Sequence, residues 1–153
     1  MTPEERVLFR GGLLYPYPDV HEQTQRGLTS ARDFMRHAYA HPVKLADVSA
    51  RAHLSPYHFL RVHQRAFGET PHEFLTRVRI ERAKTLLAGG NHSVTEVCFE
   101  VGFSSLGSFS VLFTRRVGLT PSEFRRHARF GVAVPREVRP LFVPGCFAAM
   151  VFG

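Results

Sequence analysis

Hydrophobic positions through the middle of the chain recur at helical spacing. Over residues 30–40, Ala31, Phe34, Met35 and Ala38 fall on one stripe, after Thr29 and Ser30 as caps and before the breaker His41-Pro42, which predicts one amphipathic helix. Over residues 71–88, Phe74, Leu75, Val78, Ile80, Ala83, Leu86 and Leu87 occupy more than one stripe and stop at Gly89-Gly90. That pattern predicts a helix covered by neighbours on both sides. At ~1.5 Å per residue it spans roughly 27 Å, somewhat less than the ~34 Å between successive major-groove positions on one face of DNA. The chain ends are different. Val7-Leu8-Phe9 and Leu13-Leu14-Tyr15 flank Gly11-Gly12, and Leu141-Phe142-Val143 and residues 146–152 flank Pro144-Gly145. These short apolar runs about turns predict irregular or hairpin-like extensions. The second of them either completes the core or offers a surface for self-association.

The most informative pattern is an internal repeat. Residues 45–74, LADVSARAHLSPYHFLRVHQRAFGETPHEF, align with residues 94–124, VTEVCFEVGFSSLGSFSVLFTRRVGLTPSEF, with one extra residue in the second copy. Val48 matches Val97, Ser55 matches Ser104, Phe59 matches Phe109, Arg65 matches Arg115, Gly68 matches Gly118, and Thr-Pro-x-Glu-Phe recurs at 70–74 and 120–124. Shared amphipathic spacing accounts for the valines and phenylalanines, not for the shared Gly, Thr, Pro and Glu. Those residues have local tasks. Thr70 and Thr120 can cap a helix with proline first and a glutamate third that reaches back to the cap. Gly68 and Gly118 stand where the preceding helix ends in a left-handed residue. Each copy therefore reads as a helix, a short turn (at His53 or Gly102), a longer helix, a glycine stop and a new helix start. Two helices joined by so short a turn cross steeply, as a helix-turn-helix does.

In the first copy the longer helix covers residues 56–67 with Ser55 as its cap. Phe59, Val62, His63 and Ala66 fall inward, leaving Tyr57, Leu60, Arg61 and Gln64 together on the other side, with His58 and Arg65 on the flanks. Arg61 has the shape to fork onto a guanine edge, Gln64 onto adenine, and Tyr57 and Leu60 to rest on thymine methyls or sugars, while His58 and Arg65 suit phosphates. In the second copy, residues 106–117 bury Phe109, Leu112, Phe113 and Val117. They present Leu106, Gly107, Ser108, Ser110, Val111 and Thr114 outward, with Ser105 just before the helix and Arg115 and Arg116 near its end. This face is small and short of long donors. It suits close approach, serine contacts, methyl packing and phosphate bonds more than guanine recognition.

Charge agrees with a polyanionic partner: 20 Lys and Arg against 13 Asp and Glu leave a net charge of +7. Other chemistry is poorly supplied. Cys98 and Cys146 are the two cysteines, without metal-ligand spacing, and the nine histidines are scattered, so no metal or cofactor is indicated. No nucleophile, base and orienting group assemble, so the chain does not read as an enzyme. The acidic, glycine- and proline-broken N-terminus is unlike a secretory signal, and no apolar run reaches membrane-spanning length. The expectation is a cytoplasmic protein of bacterial type.

Residues 102–125, GFSSLGSFSVLFTRRVGLTPSEFR, and residues 79–87, RIERAKTLL, resemble the signature and the linker-helix phrase of the AraC/XylS family of bacterial transcription regulators. The likeness covers about residues 30–129. It implies an all-α fold of about seven helices, in which two helix-turn-helix subdomains joined by a central linker helix send their recognition helices into consecutive major grooves. The expected layout is an arm at 1–28, a DNA-binding domain at 29–129 (units at about 44–68 and 93–118, linker at 71–88) and a tail at 130–153. By position Arg61 matches the family's base-reading arginine. Val111 stands where an arginine is common, and His63 and Thr114 replace the usual phenylalanine and lysine. The implied partner is double-stranded DNA, bound by a monomer or by a self-associated form, with RNA polymerase a further partner of the class. The sensor domain of many members does not fit in the residues before the first helix, which implies either a stand-alone member or part of a longer chain. The competing reading is an interaction or small-molecule-responsive module that keeps the fold without specific DNA binding.

Overall fold

A computed structural model describes residues 22–130, and all regular structure among them is helical. The order is α1 (Glu22–His37), α2 (Leu45–Arg51), α3 (Pro56–Phe67), α4 (Pro71–Gly89), α5 (Val94–Glu100), α6 (Leu106–Val117) and α7 (Pro121–Arg129). The expected all-α class with two helix-turn-helix units, α2–α3 and α5–α6, about a central linker, α4, is thus present. The hairpin-like arm about Gly11-Gly12, the apolar tail and Cys146 lie outside the described residues.

Local signals fix most of the boundaries. Thr70 and Thr120 close reciprocal capping boxes: each hydroxyl accepts the backbone N–H of Glu73 or Glu123, whose carboxylate accepts the threonine N–H at 2.8 and 2.9 Å. Gly68 (φ 70) and Gly118 (φ 83) end α3 and α6 in the left-handed region, donating to the carbonyls of Gln64 and Thr114. Three expectations are corrected. The first helix begins at Glu22 rather than at Ser30, so residues 22–28, assigned to an arm, are helical. Thr29 does not cap; its Oγ1 donates to Gln25 O at 3.1 Å inside the helix. The extra turns pay because they bury Leu28 and set Gly27 against α2, where a Cβ would stand 2.9 Å from Ala52 Cα. The extra residue of the second copy is Ser104 itself, since the α6 cap is Ser105, which accepts the N–H of Ser108 as Ser55 accepts that of His58 in α3.

Two hydrophobic clusters share α4. Leu28, Ala31 and Met35 of α1 pack with Val48, Phe59, Phe74 and Leu75, while Ile80, Ala83 and Leu87 pack with Val97, Phe109, Phe113 and Phe124. The N-terminal half of the linker serves the first core and the C-terminal half the second, which is why its apolar residues follow no single stripe. Full burial of each large side chain stabilises by about 1.5–3 kcal/mol.

Candidate nucleic-acid interface

The recognition-type helices α3 and α6 are set on their partners by paired aromatic anchors. Phe59 and His63 are fully buried on α3, and Phe109 and Phe113 on α6, one helical turn apart in each case. His63 lies between Phe59, Phe67 and Phe74. Its Nδ1 is 2.8 Å from Glu69 O, which makes Nδ1 the protonated nitrogen, and Nε2 is buried without a hydrogen-bond partner. Burial, reinforced by Arg32, lowers its pKa to about 4 against the partial opposition of the Glu69 contacts. The ring is neutral at physiological pH.

With those anchors inward, the expected contact residues fall outward. On α3, Ser55, Tyr57 (71% exposed), His58, Arg61, Gln64 and Arg65 are exposed and Leu60 is half-buried. The Arg61 guanidinium sits 5.8 Å from the Tyr57 ring centre, a loose cation–π contact that leaves its donors outward. On α6, Ser105, Leu106, Gly107, Ser108, Val111 (58% exposed) and Arg115 are exposed, while Ser110 and Thr114 are half-buried. Thr114 Oγ1 already donates to Ser110 O at 2.8 Å, so its hydroxyl hydrogen is engaged within the helix. Leu112, expected in the core, is only half-buried at its edge. Arg116, read as outward, turns back and donates to Glu73 O of the linker at 3.5 Å.

Charge is distributed with respect to these faces. Neither α3 nor α6 contains an acidic residue, whereas each of the other five helices carries at least one. The positive N-terminal ends of α3 and α6 are therefore uncompensated and open to anions. The composition overstates the free basic charge, however. Arg79 donates to Tyr39 O and His41 O, Arg125 to His92 O and Arg129 to Gly90 O. Arg32 and Arg77 pair with Glu69 at 3.3 and 2.6 Å. These arginines tie turns together rather than waiting for a ligand, and except for Arg77, eight residues from Glu69, their partners lie more than thirty positions off in sequence, where no local pattern announces them. The capping box of Ser93 and Glu96 on α5 was legible as S-x-x-E but went unread. So did Phe99, which is 56% exposed on the same helix.

Among the described residues no group of His, Cys, Asp and Glu could hold a metal, and no helix is long and apolar enough to cross a membrane. The family model described as a helix-turn-helix domain matches residues 48–127. The chain is similar to the HTH-type transcriptional regulator Rv1931c of Mycobacterium tuberculosis, with 31% identity over 83 residues, 54% of this chain and 32% of that protein. It is also similar to the HTH-type transcriptional activator RhaS of Escherichia fergusonii, with 31% identity over 105 residues, 69% of this chain and 38% of that protein. It thus spans about a third of the length of these curated relatives. Among solved structures it resembles an AraC-type transcriptional regulator from Chromobacterium violaceum (TM-score 0.64, 26% identity, 69% of this chain and 94% of that one). It resembles equally the DNA-binding domain of the global transcriptional factor AdpA in complex with a target DNA (TM-score 0.65, 26% identity, 69% and 95%).

Proposed function

The chain belongs to the AraC/XylS-type helix-turn-helix family, and on that premise we propose that it is a transcription regulator that binds double-stranded DNA sequence-specifically, with α3 and α6 entering adjacent major grooves. The observation that carries the reading is the pair of acid-free, outward-facing helices, each seated on its own core, the two cores sharing a single 19-residue helix. At ~1.5 Å per residue that helix is roughly 28 Å long, the scale of one turn of duplex. Arg61 and Gln64 read base edges in the first groove. Leu106, Ser108 and Val111 approach the second closely, and His58, Arg65 and Arg115 hold phosphates. The solved complex of the similar AdpA domain supports DNA as the ligand class.

Selection from random duplexes with purified protein, followed by footprinting, tests the proposal. The expected outcome is an enriched two-part motif with protection about one turn apart on one face. Enrichment of no motif would favour the interaction-module reading, and protection of a single groove segment would reduce α6 to a structural role.

A further inference from the structure

Away from the linker, the two units meet where the turn after α1 runs past the turn between α5 and α6. Arg79 of α4 is buried there with 4% exposure. Its Nε donates to Tyr39 O at 2.8 Å and a terminal nitrogen to His41 O at 3.1 Å, while the guanidinium carbon stands 5.6 Å from the Phe103 ring centre. One side chain thus grips two carbonyls of the first unit and a core aromatic of the second. From the other side Gly102, at φ 89, presses on the same turn: a Cβ there would lie 2.6 Å from Tyr39 O and 3.0 Å from Ala40 C. The Tyr39 side chain packs against both cores.

A buried guanidinium is a costly way to fill space, since an apolar side chain of similar volume commonly does as well or better for stability. Its particular asset is the rigid fork, which accepts one arrangement of two carbonyls where a lysine accepts many. We infer that Arg79 is a positioning residue that fixes the separation and angle of α3 and α6, and so makes the protein measure the distance between the two halves of its DNA site. The measuring function rests on the proposed DNA-binding reading; the lock itself does not. One inserted base pair moves the second half-site by ~3.4 Å and turns it by roughly 35°. Hydrogen bonds tolerate only a few tenths of an ångström, so a locked pair of helices cannot follow.

The test uses the full chain with Arg79→Met and Arg79→Lys. Affinity is measured on the selected duplex, on the same duplex with one or two base pairs inserted between its halves, and on a duplex keeping the first half alone. The wild type should lose at least about tenfold on a single insertion, the worth of a lost base contact. The variants should bind the half-site duplex within about twofold of wild type, as expected for a residue distant from the contacts, yet lose no more than about threefold on insertion. A folded variant that keeps the wild-type spacing penalty overturns the inference, and so does failure of both variants to fold, which would make Arg79 a stability residue. A DNA-free arm places spin labels at Ala50→Cys and Thr95→Cys in a chain carrying Cys98→Ala and Cys146→Ser. The distance distribution should be narrow with Arg79 and clearly broader with Arg79→Met. Equal widths overturn the lock whatever the DNA result, whereas broadening without any selected motif keeps the lock and removes the DNA reading.

Discussion

The first helix-turn-helix unit places Tyr57, Arg61 and Gln64 on its outer face and a histidine, His63, at the heart of its core. At the equivalent positions the second unit has Gly107, Val111 and Thr114 outside and Phe113 within. The frame is nevertheless the same: serine cap, buried phenylalanine, glycine stop, threonine–proline–glutamate start. Residues that set backbone geometry have been kept between the copies, and of the residues that would meet a ligand only the arginine at 65 and 115 has. The second unit has the more apolar core and the poorer set of donors. The first has the richer outer face and a core that contains an imidazole nitrogen without a hydrogen-bond partner.

The bluntest way to break the comparison is to remove each unit's central anchor. Phe59→Ala and Phe109→Ala should each cost about 3–5 kcal/mol, since both side chains are fully buried. Because α4 belongs to both cores, denaturant unfolding of each variant should remain one transition at a lower midpoint. Two separate transitions would show that the units are energetically independent.

Loss of the fork on α3 sharpens the contrast at the surface. Arg61→Ala should weaken the preferred duplex by about 1–3 kcal/mol and relax choice at one or two base pairs, as loss of a bidentate base contact does. Val111→Ala should change affinity little, and Val111→Arg should introduce a guanine preference in the second half-site. If Arg61→Ala lowers affinity for preferred and scrambled duplexes equally, Arg61 is a phosphate contact.

Acid should act on the first unit through His63. The His63 pKa is lowered to about 4 in the fold against 6.5 when unfolded. Between those values the unfolded chain binds more protons, so the contribution is complete above pH 6.5 and is lost as pH falls toward 4. At pH 5 the loss is about 2 kcal/mol relative to pH 8. His63→Phe, which copies the second unit, should remove that part of the acid dependence in denaturation curves at the two pH values. An unchanged difference would place the acid sensitivity elsewhere.

The smallest effect concerns Arg65 and Arg115, the one charged pair common to both outer faces. Replacing either by alanine should weaken specific and random DNA alike and reduce the slope of log affinity against log salt by about one. A slope unchanged in both variants would remove them from the phosphate contacts.

The frame could be read from the sequence because its signals are local. A cap, a proline and a glutamate within four residues, or a glycine after an apolar stripe, say where a helix starts or stops without reference to the rest of the chain. The outward faces of α3 and α6 followed from helical periodicity in the same way. What could not be read depends on distant partners. The bonds of Arg79 to Tyr39 and His41, of Arg116 to Glu73 and of Arg129 to Gly90 join residues about forty positions apart. In sequence these arginines are indistinguishable from Arg61. The helical state of residues 22–28 was hidden for a related reason: the signal for it is the close approach of Gly27 to Ala52, a packing fact.

The division of α4 between two cores also bears on how the chain leaves the ribosome. The first core has all its members once Phe74 and Leu75 emerge, whereas Phe124, which closes the second, follows Leu87 by 37 positions. At translation rates of about 5–20 residues per second, the far half of α4 waits roughly two to seven seconds with Ile80, Ala83 and Leu87 uncovered. Synthesis therefore passes through a stage in which the residues of the first core are complete and the far half of α4 is still without its covering helices. For that interval Ile80 and Leu87 are open to other nascent chains and to chaperones.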